Sequence, residues 1–202
     1  MPNESDFELT TIERLKLQGY KYDYGPALRE NPSFSPDSVI ITDRLKTFLQ
    51  NKYPHLPPAA IDQSISIISS PEGTDSLHRN KNFHQLLTRG YEVKYKDSSG
   101  RETFDHIYPV DWDNPDNNDF RVINQLSISG KNDRRPDIII YINGLPLIVF
   151  ELKNPYDEAP TVNGAYNQIQ HYILDIPQLF DYNAFCVISD GVNTLHGMFT
   201  AA

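Results

Sequence analysis

One cysteine in 202 residues, no apolar run near the length of a membrane span, and almost no positive charge in the last third set the first limits on this chain. With Cys186 alone, an intramolecular disulfide and a thiolate metal cluster are both excluded, which fits a reducing compartment and a core position. A membrane helix needs about 20 consecutive apolar residues, and no stretch approaches that. Residues 1–20 also lack the apolar centre of a signal peptide, so a cytoplasmic protein with no membrane contact is expected. His78, His84, His106 and His171 lack ligand spacing, which argues against a histidine metal site. The net charge of −9 argues against an autonomous nucleic-acid binder, because phosphate affinity comes from clustered Lys and Arg. Of the 18 basic residues, ten lie between Arg79 and Arg135, and from Pro136 onward Lys153 stands alone. If a polyanion binds, its contacts belong to the first of those regions or to a partner.

What is present is an ordinary globular composition, 39% hydrophobic and 22% charged, with enough chain for one domain and a real core. The first ninety residues read as mainly helical. Helical spacing of apolar residues covers 4–19, 37–51, 59–69 and 76–88, with Gly19 and Gly90 as stops and a turn-rich stretch at 20–36. From Tyr91 the period becomes two, predicting strands over 91–95, 103–111, 120–129, 137–142 and 147–153. A helix over 162–174 and closing strands at 184–189 and 194–199 complete the pattern. The expected fold is α/β: a mixed central sheet flanked by helices, the sheet occupying about 91–202 behind a helical part of about 1–90. There is no internal repeat.

The most informative stretch runs from Arg135 to Tyr156. Two apolar strands joined at Asn143-Gly144 carry Asp137, Glu151 and Lys153 into greasy surroundings. A charge at the end of a buried strand costs several kcal/mol unless paired or metal-bound, so three of them in one hairpin need a reason. The spacing Asp-x₁₃-Glu-x-Lys resembles the core of the PD-(D/E)xK nucleases, in which carboxylates hold a divalent cation and the lysine serves the attacking water. Magnesium wants hard oxygen ligands and keeps several waters, so Asp137, Glu151 and the Leu152 carbonyl between Glu and Lys would suffice, with Mn²⁺ as a substitute. Lys153, two residues beyond Glu151, shares its strand face and can orient the water or stabilise developing charge. This reading makes a structural demand. With a strict two-residue turn, Asp137 pairs with Phe150 and lands on the opposite face from Glu151. A one-residue offset is therefore required, through a three-residue loop or a bulge near Leu145-Pro146.

Other candidates carry two readings each. Gln168 and Tyr172 are four apart on one helix face, and are either half-exposed surface or donors reaching the lysine or a phosphate. Glu8, in the first helix, is either helix surface or a further metal-side acid; Glu13 is the weaker of the two acids there. Arg134 and Arg135 are either phosphate contacts or solubilising charges before a buried strand. An isolated Glu-x-Lys is usually a solvated edge, and Pro-Asp before a strand is a common turn; it is the combination that points to a nuclease.

The chain as a whole resembles the N-terminal part of the restriction (R) subunit of type I restriction-modification enzymes. The likeness rests on Phe7-Glu8, Thr11 to Leu15, Gly19-Tyr20, Asn117 to Phe120, Asn124 to Leu126, Arg135 to Asp137, Asn143 to Leu147, Glu151 to Pro155 and Asp190-Gly191. The resemblance implies a nuclease domain preceding two RecA-like helicase domains that hydrolyse ATP and translocate double-stranded DNA, working with modification and specificity subunits. It implies catalytic roles for Asp137, Glu151 and Lys153, a RecB-like helix motif in Gln168 and Tyr172, and Glu8 as the first-helix acid. No Gly-x-x-x-x-Gly-Lys-Ser/Thr occurs, so ATP would be bound only in the full-length subunit. The expectation is a fragment ending just before the motor and cutting DNA feebly by itself. A stand-alone repair or junction nuclease shares the motif but would want a basic groove. An assembly or coupling domain retaining the motif is the non-enzymatic alternative.

Overall fold

The computed structural model describes residues 4–31, 34–153 and 162–201; the Asn154-Pro155 end of the motif string lies outside them. Its centre is β5 (Ile138–Ile142), the run Ile-Ile-Ile-Tyr-Ile, whose first four residues are buried as expected of a strand covered on both faces. The six-stranded sheet has the order β1-β4-β5-β6-β7-β8, built from β1 (Lys21–Tyr24), β4 (Phe120–Asn124), β5, β6 (Leu145–Leu152), β7 (Phe185–Ser189) and β8 (Thr194–Gly197). It is mixed: β1 runs parallel to β4 and β6 to β7, while the β4–β5, β5–β6 and β7–β8 pairs are antiparallel. The α/β architecture read from the pattern is what the structure has.

Helices cover both faces. On one side α1 (Glu4–Leu17) drops Ile12 onto Val122, Ile138, Ile140 and Leu152. The other side holds the larger core, where α3 (Thr42–Lys52), α4 (Pro58–Ser69), α5 (Ser76–Arg89) and α6 (Val162–Asp175) enclose residues such as Ile139, Tyr141, Val149 and Ile169. Helix boundaries follow local chemistry. Pro58 opens α4, the Asp75 side chain caps α5 by accepting from the His78 N–H, and Gly90 at φ +71° ends α5. The short helix α7 (Pro177–Phe180) follows α6.

Three expectations change. The stretch 20–36 contains strand β1 and the short helix α2 (Gly25–Arg29), so the sheet takes an edge strand from the mainly helical first ninety residues. Four residues are too few to show a period, and β1 pairs with residues about a hundred positions away. Strands β2 (Tyr91–Lys96) and β3 (Glu102–Ile107) form their own two-stranded sheet rather than joining the central one. The helix expected from 37 begins at Thr42; Val39, Ile40 and Ile41 are buried just before it, and the Ile41 N–H donates to the Gly144 carbonyl at 2.9 Å.

That contact pins the hairpin turn. Asn143 and Gly144 adopt φ +53° and +83°, the pair of left-handed conformations of a tight two-residue turn. Ile142 pairs with Leu145 and Tyr141 with Pro146, but Ile140 then pairs with Ile148, so one extra residue enters β6 as a bulge. The required offset is present, placed just after Pro146.

Candidate active site

Beyond the bulge, Ile139 faces Val149 and Ile138 faces Phe150, and the same register carries Asp137 opposite Glu151. The hairpin therefore brings the two carboxylates to one end of the sheet and one face. Glu151 is 2% exposed. Its Oε1 accepts from Lys153 Nζ at 2.6 Å and its Oε2 accepts from the Tyr172 hydroxyl at 2.8 Å. Asp137 Oδ2 accepts from the Leu152 N–H at 2.7 Å. The N–H and C=O of a strand residue leave on the same edge, so the Leu152 carbonyl is directed toward the Asp137 side of β6. The Lys153 N–H donates to the Ser189 carbonyl at 2.8 Å, which ties the end of β6 to β7.

Helix α6 supplies the lid of this cluster. Tyr172 is buried, and burial first, then the neighbouring Glu151 charge, pushes its hydroxyl well above the usual tyrosine range. It stays a neutral donor to Glu151 at any ordinary pH. Gln168, one turn earlier, bonds the same hydroxyl. The helix pair read from the sequence therefore meets the hairpin glutamate, and Gln168 holds Tyr172 in place.

Glu8 is buried at 6% exposure, not on the helix surface. Its Oε1 accepts from Asn124 Nδ2 at 2.6 Å and its Oε2 from Gln125 Nε2 at 2.7 Å, while Tyr22 donates to Asn124 Oδ1 at 2.9 Å. The Gln125 N–H in turn donates to the Asp137 carbonyl at 3.1 Å, so Glu8 stands one residue from the Asp137 strand. Among the described residues no three His, Cys, Asp or Glu side chains come together as a metal cluster, and Glu8 is held by amides instead. Glu13 is exposed and pairs with Lys16. Arg134 and Arg135 part company. Arg134 is bound to Asp175 at the end of α6, Nε to Oδ2 at 2.7 Å, whereas Arg135 is exposed and only its carbonyl lies beside Tyr172, at 3.5 Å.

Three participants carried no assigned role in the sequence: Asn124, Gln125 and Asp175. Gln125, at φ +54°, is one of two non-glycine residues in the left-handed region among those described, a strained conformation of the kind that collects at functional sites. For Asp175 a signal existed, since an acid in the last turn of a helix opposes the helix dipole and calls for cations nearby.

The donor set, two hard carboxylates on adjacent strands with a backbone carbonyl between Glu and Lys, suits a magnesium-type cation and lacks the nitrogen or sulfur ligands that zinc would want. A family model for the type I restriction enzyme R protein N terminus matches residues 1–202. The HindI endonuclease subunit of a type I restriction enzyme from Haemophilus influenzae is 37% identical over 207 residues, covering 100% of this chain and 20% of that protein. The Methanocaldococcus jannaschii protein MjaIXP, also named for a type I restriction enzyme endonuclease subunit, is 30% identical over 94% of this chain and 19% of its own length. In Staphylococcus aureus, a type I restriction enzyme endonuclease subunit is 40% identical over 78 residues, 38% of this chain. The chain spans about a fifth of the length of the curated relatives it matches.

Proposed function

This chain belongs to the family of type I restriction enzyme R protein N termini, and from that premise we propose that it is a Mg²⁺-dependent endonuclease domain of the PD-(D/E)xK type. Its substrate is double-stranded DNA, delivered by ATP-driven translocation from motor domains elsewhere in the subunit. The observation that carries this reading is the bulged register placing Asp137 opposite Glu151 with Lys153 Nζ 2.6 Å from the glutamate.

Asp137, Glu151 and the Leu152 carbonyl would hold the cation, which when bound lowers the pKa of a coordinated water and offsets charge on the phosphoryl oxygens. The chain's own residues do the rest. Tyr172 and Lys153 fix the two oxygens of Glu151, so the carboxylate needs no reorganisation when substrate arrives. Lys153 is the only Lys or Arg after Arg135, and its ammonium is placed to orient the attacking water and donate to a non-bridging phosphate oxygen. Buried Leu152 and Ile138 keep bulk water from the strand side of the cluster. The modification and specificity subunits of the restriction complex are the expected partners.

Two measurements test this. In the assembled restriction complex, Lys153→Ala abolishes DNA cleavage while ATP hydrolysis continues; cutting at the unaltered rate would remove the lysine from the mechanism. In calorimetry on this chain, Mn²⁺ or Mg²⁺ binding disappears with Asp137→Ala, and a scaffold without a metal site would show no binding to lose.

A further inference from the structure

The ladder between β4 and β5 continues beyond the sheet. The Gln125 N–H bonds the Asp137 carbonyl, and Ile128 and Arg134 exchange backbone hydrogen bonds at 2.8 and 3.0 Å, leaving residues 129–133 as a tip that projects from the strand bearing Asp137. This tip is built, not loose. Buried Asp175 accepts from Asn132 Nδ2 at 2.7 Å and from the Arg134 guanidinium, and its carbonyl accepts the Lys131 N–H at 2.8 Å. Gly130 lies so close that a Cβ there would meet the Asp175 carbonyl oxygen at 2.1 Å. Gln178 and Pro36 hold Ser129 from the other flank, through its carbonyl at 2.8 Å and its N–H at 2.9 Å.

We infer that this loop is a phosphate-binding finger for the DNA strand entering the site, with Lys131 and Arg135 as its contacts; the inference rests on the nuclease reading above. The clamp engages Arg134 and leaves Lys131 and Arg135 exposed on either side of it, neither joined to a carboxylate among the described residues. Three other cations of the same basic region are neutralised, Arg79 by Asp181, Arg101 by Asp97, and Arg121 by Asp23 and Asp119, while exposed Lys81, Arg89, Lys94 and Lys96 lie on α5 and β2, outside this loop. Arg135 is two residues from Asp137, about 7 Å along an extended strand, which is within reach of a phosphate next to the one being cut. Lys131 sits at the tip and meets the backbone farther along. Asp133 shares the tip and disfavours phosphate directly over it, which keeps the contacts on the flanks. A rigid finger with two cations supplies local grip in a chain whose net charge of −9 otherwise repels DNA.

The test uses a short labelled duplex, the 202-residue chain and no divalent metal, following anisotropy as salt is raised. Removing one phosphate-binding cation should lower the slope of log K against log salt by about 0.9, so Lys131→Ala with Arg135→Ala should lower it by about 1.8. Lys81→Ala with Lys94→Ala, an equal charge change elsewhere on the surface, should leave the slope as it was. Melting temperatures of the variants verify that exposed substitutions left the fold intact. An unchanged slope in the finger variant, an equal loss in the control pair, or no duplex binding by the unaltered chain overturns the finger. Cutting that survives Lys153→Ala sinks the nuclease reading regardless; cutting abolished there beside an unchanged salt slope sinks the finger alone.

Discussion

The two ends of the β5–β6 hairpin carry clusters of partly buried charge with opposite balance. At the turn end, Asp23 and Asp119 are matched by Arg44, Arg121 and Lys21 at distances of 2.9 to 3.2 Å. At the open end, Glu151 pairs with Lys153, and neutral donors also bond the acids there: Tyr172 to Glu151, the Leu152 N–H to Asp137, and Asn124 and Gln125 to Glu8 on the neighbouring helix α1. No further Lys or Arg lies anywhere after Lys153 to redress this. A self-neutralised cluster has its ligands already and serves the fold. Under the proposed nuclease function, the open end, where the register sets Asp137 opposite Glu151, is where a positive ion from outside would be held.

That contrast can be broken from either side. The largest effect belongs to Glu151→Gln, which removes a buried charge at nearly constant shape. Cleavage by the assembled enzyme should fall about 10³-fold, while the melting temperature of the chain holds or rises because an ion no longer has to be desolvated. A Glu151→Gln variant that unfolded would instead show the open end to be structural. Next comes Arg121→Ala at the turn end, which leaves Asp23 and Asp119 short of a partner in a site only 18–24% exposed. It should destabilise by about 2 kcal/mol in denaturant titrations, with cleavage per folded molecule unaltered.

Tyr172→Phe sharpens the comparison at smaller scale. It takes the hydroxyl from Glu151 Oε2 and leaves packing intact, so about a tenfold loss of cleavage rate accompanies about 1 kcal/mol of stability. The smallest effect is set by pH and falls on two carboxylates that tie loops together, Asp111 and Asp175. The amide of Asn117 first, then the Lys52 ammonium, hold Asp111 down at about 2, and Asn132 with Arg134 likewise depress Asp175. Depressed folded pKa values mean stability that is complete above the unfolded value near 3.9 and lost as pH falls toward 2. Thermal melts over that window should show the decline, and Asp111→Asn should flatten it.

Much of this was legible in the chain because it is local. Period-two alternation gave β2 and β3, the apolar run gave β5, and Gly90 marked the end of α5. The offset after Asn143-Gly144 was legible by another route: chemistry required Asp137 and Glu151 on one face, and a ladder of period two leaves only a bulge to put them there. What stayed hidden pairs distant residues. Strand β1 is four residues long and recognisable only beside β4. Glu8 carried two readings as a helix acid until Asn124 and Gln125 closed on it, residues more than a hundred positions away. Arg134 and Arg135 are adjacent and chemically alike, and no property of the string distinguishes them. The end of α6 does, by presenting Asp175 to one and not the other.

By itself, then, the sequence determined the identity of the chemical groups, the hairpin that carries them and the need for a register offset, since these follow from side-chain type and short-range periodicity. Only the tertiary structure decided which neutral donors dress the carboxylates, which cations are neutralised and which face outward. Those outcomes depend on through-space distances between elements that the chain brings together only when the sheet and its helices close around one core.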